Sequence, residues 1–289
     1  MACDLHTHSV FSDGTCTPAE ILDEAEALGL SAVALTDHNA VSGLPDLMAA
    51  AKGRRLTVIP GIEISTDYEK PDHSKTELHI VALFISADQY DTIMAKVGEM
   101  MRRKEESNRR LVESLREEGY QLDYDELKRS TAGGFVNRAV VAAGLVEKGY
   151  VSSVNEAFSR LLSPKHGFYE PPKRLDVFEV IRFVREIGAV SVLAHPFLDL
   201  SAEELEVFLE KAAPAGLDAM EVYYSTYDSE QTALAAELAG RYGLLPSGGS
   251  DYHGRNKLDI ALGSGKGNLR VPDEWWKALE KLAEERAEK

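Results

Sequence analysis

The sequence predicts an α/β protein in which seven buried strands alternate with helices, interrupted by a helical insertion. Short apolar runs recur between stretches of helical periodicity, which is the pattern of strands joined by crossover helices. A highly charged segment, residues 100–170, breaks this rhythm, because it keeps a helical period and offers no buried strand. We therefore expect a barrel formed by residues 1–99 and 171–289, with residues 100–170 as an insertion that covers its active-site face.

Each candidate strand is a near-continuous apolar run, as expected for strands that are covered on both faces. In chain order, the strands are predicted at residues 3–6, 32–36, 56–64, 78–84, 189–194, 217–223 and 244–247. Residues 18–28 are predicted to form the first helix, because Thr17 is a favoured N-cap and Pro18 suits the first turn. Helical periodicity returns at residues 176–187, and residues 274–289 are predicted to form a charged terminal helix.

The composition argues against several classes of protein. The formal net charge is −16, whereas proteins that bind long nucleic acids need a basic face, so we expect no stable complex with a long nucleic acid. No apolar run reaches about 18 residues, and the first residues lack the basic and apolar regions of a signal peptide. We therefore expect a cytoplasmic protein that does not contact membranes. Cys3 and Cys16 are too few and too isolated for a disulfide framework or a thiolate zinc site.

Side chains that can bind metals stand at or near the ends of six predicted strands. They are His6 and His8, Asp37 and His38, Glu63, His79, His195, and Asp251 and His253. In a parallel barrel the carboxyl ends of all strands open onto one face, where active sites are built. Imidazoles and carboxylates suit zinc, manganese or iron, and the set includes no thiolate that would demand zinc. The pattern therefore predicts a divalent metal centre, although a single histidine in such a place is more often structural.

The motifs resemble those of a known family. In chain order they read DLHTHSVFSDGT, ALTDHN, PGIEIS, ELHIVALF, VLAHPF and GGSDYHG. They resemble the successive motifs of the PHP (polymerase and histidinol phosphatase) phosphoesterases, and the resemblance spans nearly the whole chain. It implies a distorted (β/α)7 barrel, in agreement with the seven predicted strands. The insertion, with GLVEKGYVSSVNEAF, resembles the stand-alone phosphatases of the family.

The resemblance implies two or three divalent ions, namely manganese, zinc or iron, and a ligand set for each. His6, His8, Glu63 and Asp251 would hold the first ion, Glu63, His79 and His195 the second, and Asp13, His38 and His253 the third. We also expect His195, His253 and Glu63 to take part in catalysis. Every position carries a competent ligand, which argues against a metal-free homologue.

Two positions depart from the family pattern. Many members have Thr-Asp-His-Asp after the second strand, but this chain has Asn39 in the last place. Nucleotide-processing relatives commonly have Gly-Arg-Pro-His in the insertion, where this chain reads Asn137-Arg138-Ala139-Val140. Arg138 is our first candidate for binding a substrate phosphate. Lys165 and His166, in a loop just before the chain re-enters the barrel, are weaker candidates.

The predicted function is hydrolysis of a small phosphate ester, of the nucleotide or nucleoside 3′,5′-bisphosphate type, by attack of a metal-bridging hydroxide on phosphorus. A cyclic phosphodiester or a sugar phosphate is the alternative substrate, and histidinol phosphate ranks lower. Two other classes stay open: a non-catalytic metal-binding module and a metal-dependent amide hydrolase. The sequence leaves the metal identity, the number of ions and the oligomeric state open.

Overall fold

The computed structural model describes residues 2–131 and 135–288. The chain forms two compact units. The first, the barrel unit, comprises residues 1–94 and 174–289, and the second, the insertion unit, comprises residues 95–173.

The described part of the barrel unit contains one nine-stranded sheet. Its strands are β1 (Ala2–Asp4), β2 (Ala32–Leu35), β3 (Thr57–Glu69), β4 (Lys75–Leu83), β5 (Leu175–Asp176), β6 (Val190–Leu193), β7 (Ala219–Tyr224), β8 (Leu245–Gly249) and β9 (Val271–Pro272). The order is β8-β7-β6-β4-β3-β2-β1-β9, and β5 pairs with β3. The sheet nearly closes, because Leu5 N donates to Gly248 O at 3.2 Å and His8 N donates to Tyr252 O at 2.8 Å. The predicted α/β barrel is therefore confirmed.

Strand β4 runs against both of its neighbours in a way that the sequence pattern did not reveal. β4 is antiparallel to both of its neighbours, β3 and β6, whereas β1, β2 and β3 are parallel, as are β6, β7 and β8. The link between β3 and β4 is a hairpin turn over residues 70–74, far too short for the crossover that a parallel pair requires. This hairpin is a local distortion of the barrel.

Six helices belong to the described part of the barrel unit. They are α1 (Pro18–Ala27), α2 (Leu44–Ala50), α7 (Val177–Glu186), α8 (Ala202–Ala215), α9 (Ser229–Arg241) and α10 (Asp273–Ala287). Four of them, α1, α7, α8 and α9, begin at a residue whose side chain caps the helix. Thr17 caps α1 and Ser201 caps α8, each in a capping box with the glutamate three residues later. Trp276 and Leu279 of α10 belong to the same apolar core as the strands.

The insertion unit is helical and has its own core. Its helices are α3 (Tyr90–Glu117), which begins within the barrel unit, α4 (Tyr124–Ser130), α5 (Arg138–Glu147) and α6 (Val154–Ala157). Leu111 and Leu115 of α3 pack in a buried cluster that includes Leu145 and Leu162. Asn137 caps α5, since its side chain accepts a hydrogen bond from Val140 N.

Every helix in the described ranges is too short or too polar to cross a lipid bilayer.

Candidate metal centre

Glu63 lies at the centre of a group of five imidazoles. Its side chain is fully buried in β3. The distances from its Oε1 are 2.8 Å to His79 Nδ1 and 3.0 Å to His195 Nε2. Its Oε2 lies 2.8 Å from His38 Nδ1 and 3.4 Å from the Nε2 atoms of both His6 and His8. Both oxygens of one carboxylate therefore face several potential metal ligands, which is the arrangement expected of a carboxylate that bridges ions.

Two further carboxylates extend this group. Asp251 Oδ1 lies 3.3 Å from His8 Nε2 and 3.9 Å from His6 Nε2. Asp13 Oδ1 lies 3.1 Å from His253 Nε2 and 3.8 Å from His38 Nε2. All nine metal-ligand candidates from the sequence thus lie in one cluster. The four sets of ligand atoms that fall within 4.8 Å of one another come from His8, Asp13, His38 and His253; His6, His8 and Asp251; His6, Glu63 and His195; and His38, Glu63 and His79.

The backbone brings these side chains together at the strand ends. His6 and His8 follow β1 in extended chain that is bonded to the segment after β8, because Asp251 N donates to His6 O at 2.9 Å. His38 follows β2 and pairs in parallel with Glu63. Two ligand candidates have a positive φ, 29° at His195 and 57° at Asp251. Non-glycine residues rarely adopt such a conformation, and where they do it is often at a functional site.

Buried atoms without hydrogen-bond partners show that the cluster fits divalent ions. Among the described residues they include His6 Nε2, both ring nitrogens of His8, His38 Nδ1, Glu63 Oε2 and His195 Nδ1. Buried polar atoms are normally paired, so such a concentration at one point requires an explanation. His38 Nδ1 lies only 2.8 Å from Glu63 Oε2, yet the two atoms do not form a hydrogen bond. Two atoms that bind the same ion are expected to approach each other in this way. The nitrogen and oxygen donors suit zinc, manganese or iron.

The electrostatics of the cluster keep the carboxylates ionised. Burial alone would raise the pKa of Glu63, but the neighbouring His38, His79 and His6 hold it well below its usual range. Burial, together with the nearby His253 and His38, lowers the pKa of His8 well below its usual value. His8 is therefore neutral near pH 7, which is the form that binds a metal ion.

Glu221 is a residue of the candidate site that the sequence pattern did not reveal. It lies in β7, is 2% exposed, and contacts two ligand candidates. Its Oε1 lies 2.9 Å from His6 Nδ1, and its Oε2 accepts a hydrogen bond from His195 N at 2.7 Å. A carboxylate can only accept, so it fixes the proton of His6 on Nδ1 and leaves Nε2 facing Glu63. The available signal was a charged residue inside the apolar run AMEVYY.

Two more residues hold the outer oxygen of Asp251. Tyr224 Oη donates to Asp251 Oδ2 at 2.7 Å, and Lys257 Nζ donates to the same atom at 2.6 Å. The inner oxygen, Oδ1, is left facing the histidines. Neither residue had a sequence signal, because a tyrosine in a strand and a lysine in a loop are ordinary.

Asn39 does not face the cluster but ties its own loop to β3. Its Oδ1 accepts a hydrogen bond from Ser65 N at 3.0 Å, and its Nδ2 donates to Ser65 Oγ at 3.2 Å. The φ of Asn39 is 52°, a conformation that asparagine tolerates better than most residues. Asn39 therefore supports the position of His38 beside it.

The three predicted substrate-binding residues lie in the insertion unit. Arg138 begins α5, and its guanidinium carbon lies 4.5 Å from the ring centroid of Tyr169 and 5.6 Å from that of Phe158. Lys165 and His166 form a short turn, and His166 Nε2 is a buried atom without a hydrogen-bond partner among the described residues. The guanidinium of Arg138 thus stacks on aromatic rings of the insertion unit, but a substrate-binding role for these residues remains a prediction.

Fold and site together define the class, which is a metal-dependent phosphoester hydrolase built on an α/β barrel. The chain belongs to the PHP domain family, which matches residues 4–163. The family resemblance noted in the sequence is therefore confirmed.

Several relatives cover most of this chain. A 5′-3′ exoribonuclease Rnm of Salmonella typhimurium is 31% identical over 86% of this chain and 84% of its own length. A phosphoribosyl 1,2-cyclic phosphate 1,2-diphosphodiesterase of Eggerthella lenta is 29% identical over 87% of this chain and 94% of its own length. A 3′,5′-nucleoside bisphosphate phosphatase of Chromobacterium violaceum is 29% identical over 86% of each chain. A crystal structure of an inferred metal-dependent phosphoesterase from Bifidobacterium adolescentis is 28% identical, with a TM-score of 0.82 over 97% of this chain and 96% of that one.

Proposed function

We propose that this protein hydrolyses a phosphate ester of a small nucleotide and that a nucleoside 3′,5′-bisphosphate is its leading substrate. The observation that carries the proposal is the fully buried Glu63, whose two oxygens lie within 3.4 Å of nitrogens from five histidines. A relative of matching length is named for this activity, which supports the choice of substrate.

The proposal assigns the nine clustered residues to the metal ions. His6, His8, Glu63 and Asp251 would hold one ion, Glu63, His79 and His195 a second, and Asp13, His38 and His253 a third. Bound divalent ions would supply Lewis-acid polarisation of the phosphate oxygens and a nucleophile at neutral pH. Manganese, zinc and iron all fit the nitrogen and oxygen donors.

Three of these residues have roles beyond holding an ion in this proposal. Glu63 keeps its negative charge at the buried centre and thereby sets the position of the surrounding imidazoles. His253 Nδ1 lies 2.8 Å from the carbonyl oxygen of Asp251, so this nitrogen carries the proton and Nε2 faces Asp13. His195 is fixed through its backbone by Glu221 and presents Nε2 to Glu63. In this proposal, His195 and His253 would contact the reacting phosphate.

Recognition of a second phosphate would be the task of the insertion, residues 100–170. Arg138 rests on Tyr169, and within the described ranges no carboxylate pairs with its guanidinium. A stacked guanidinium with open donors matches the oxygens of a phosphate, which matters in a protein with a net charge of −16. Lys165 and His166 would add donors to the same phosphate.

An RNA 5′ end is the second candidate substrate, because a relative that is 31% identical is named an exoribonuclease. Short single strands carry the same phosphate groups as a nucleotide, and they need no broad basic face. A cyclic phosphodiester is supported by the Eggerthella lenta relative, and a sugar phosphate ranks after it. An amide hydrolase and a non-catalytic metal-binding module rank last.

A substrate panel tests this proposal. Purified protein, first chelated and then supplied with Mn²⁺, is offered a nucleoside 3′,5′-bisphosphate, a 5′-phosphorylated RNA oligonucleotide, a cyclic phosphate, a sugar phosphate and simple amides. We expect the highest kcat/KM for phosphate release from the bisphosphate. Preferential release of mononucleotides from RNA would move the assignment to the exoribonuclease, and hydrolysis of amides alone would overturn it.

The role of Arg138 is tested by Arg138→Met, with Arg109→Met as its matched control. Arg109 also stacks on a tyrosine of the insertion unit, with its guanidinium carbon 4.2 Å from the centroid of Tyr124, but it is paired with Asp125. We expect Arg138→Met to raise KM for the bisphosphate and to leave slow hydrolysis of an aryl phosphate unchanged. Equal losses on both substrates, or the same loss in the control, would refute the assigned role.

A further inference from the structure

We propose that Glu77, itself held by Arg174, is a positioning residue that makes His79 present Nδ1 to the metal centre. This inference rests on the proposed function in one respect, that His79 binds a metal ion. It concerns two residues at the outer side of the centre. Glu77 lies in β4, which runs antiparallel to its neighbours β3 and β6, and Arg174 directly precedes β5.

His79 is contacted by carboxylates at both ring nitrogens. Its Nδ1 lies 2.8 Å from Glu63 Oε1, on the side of the metal centre, and its Nε2 lies 3.2 Å from Glu77 Oε1. Glu77 and His79 are two residues apart in β4, so both side chains stand on the same face of the strand. Glu77 therefore accepts a hydrogen bond from Nε2 and leaves Nδ1 as the nitrogen that can bind an ion.

Glu77 is not a free surface glutamate. Its Oε2 lies 2.6 Å from Arg174 Nη2, while Arg174 Nη1 lies 3.2 Å from Asp67 Oδ1. Arg174 N also donates to Asp67 Oδ2 at 3.3 Å, directly before β5, which pairs with β3 at Asp67. The Arg174 side chain is only 14% exposed. The carboxylate of Glu77 is thus held by the guanidinium of Arg174, which is itself held beside β3 through Asp67.

The metal centre contains a second histidine whose outer ring nitrogen is contacted by a glutamate, but there the outer nitrogen is Nδ1 rather than Nε2. Glu221 contacts His6 at Nδ1 and leaves Nε2 toward Glu63. An unrelated pair in the β3–β4 hairpin provides the contrast. Glu69 lies 2.9 Å from His73 Nδ1, but His73 is 87% exposed and stands away from the cluster. Glu69 therefore serves as a matched control for Glu77.

The decisive substitution is Glu77→Gln, because glutamine has the same shape but only one accepting oxygen. Arg174 can only donate, so it takes that oxygen and turns the amide NH₂ toward Nε2 of His79. The ring must then carry its proton on Nδ1, which removes that nitrogen as a ligand. We expect metal affinity to fall about 10- to 100-fold, as for other residues that orient metal-bound histidines. Glu69→Gln should leave the affinity unchanged.

The double variant Glu77→Gln, Arg174→Met separates positioning from simple packing. Without Arg174, the glutamine oxygen is free to turn to His79 and accept from Nε2 again. We expect the double variant to bind metal more tightly than Glu77→Gln alone. Weaker binding by the double variant than by the single one would mean that the cluster only stabilises the fold, and the proposal would be overturned.

The most direct test uses the unaltered protein, labelled with ¹⁵N-histidine and loaded with ¹¹³Cd²⁺ as the probe. Scalar coupling of cadmium to Nδ1 of His79 and to Nε2 of His6 is the expected result. Coupling of cadmium to Nε2 of His79 would overturn this inference while leaving the metal centre intact. Failure to bind any divalent ion would instead remove the proposed function, and the inference with it.

Discussion

Replacing Glu221 by glutamine should disable one metal ligand while preserving the fold. Glu221 receives hydrogen bonds from His195 N and from the ring of His6. Glutamine can accept only one of these. The backbone N–H of His195 cannot change, whereas the imidazole of His6 can move its proton, so the amide NH₂ will face His6. Nδ1 of His6 then becomes the acceptor and Nε2 carries the proton.

The magnitude follows from these contacts. Loss of a residue that orients a metal-bound histidine weakens metal affinity by about 10- to 100-fold, or about 1.4 to 2.7 kcal/mol. Both hydrogen bonds of residue 221 persist, but they no longer involve a charged carboxylate, and this weakening should lower the free energy of unfolding by about 1 kcal/mol for each bond.

Two assays measure these effects. Competition with a chromophoric chelator gives the metal affinity, and urea unfolding of the chelated protein gives the stability. Glu206→Gln is the control, because Glu206 forms an exposed ion pair with Arg241 on the surface. Unchanged metal affinity in Glu221→Gln would refute the reasoning, since the variant keeps the shape and loses only the acceptor.

Three further predictions concern the same architecture. Tyr224→Phe removes a donor from the outer oxygen of Asp251, so metal affinity should fall about tenfold in the chelator competition; an unchanged value would mean that Lys257 alone holds this oxygen. Arg286→Met leaves Asp218 buried without its ion-pair partner and should lower the free energy of unfolding by about 3 kcal/mol. The exposed Arg241→Met should cost less than about 1 kcal/mol, and equal losses would contradict this difference. Adding Mn²⁺ at about 100 times its Kd to chelated protein should stabilise it by about 2.7 kcal/mol, measured as a rise in Tm that a metal-independent fold would not show.

The barrel and the ends of its strands were predictable because both depend on local patterns. A buried strand is an apolar run, and a ligand at its end is a polar residue directly after that run, as with His195 after β6 and Asp251 after β8. Such patterns need no knowledge of which strands are neighbours. They therefore predicted eight of the nine clustered residues, although not which of them share an ion, whereas Asp13 was expected only from the family resemblance.

Features that depend on distant contacts were not predictable in this way. Glu221 meets His6 across 215 positions of sequence, and no spacing rule reports such a contact. The antiparallel direction of β4 was missed for a different reason. Residues 65–69 continue β3 with polar side chains beyond the predicted end at Ile64, so the short hairpin was not recognised.

We expect the cluster around Glu63 to bind the divalent ions with which this protein hydrolyses phosphate esters. The most direct measurement is phosphate release from a nucleoside 3′,5′-bisphosphate by chelated protein during titration with Mn²⁺. We predict no release from the chelated protein and a rise that saturates at two or three ions per chain. Equal release with and without metal, or none at any Mn²⁺ concentration, would contradict the account.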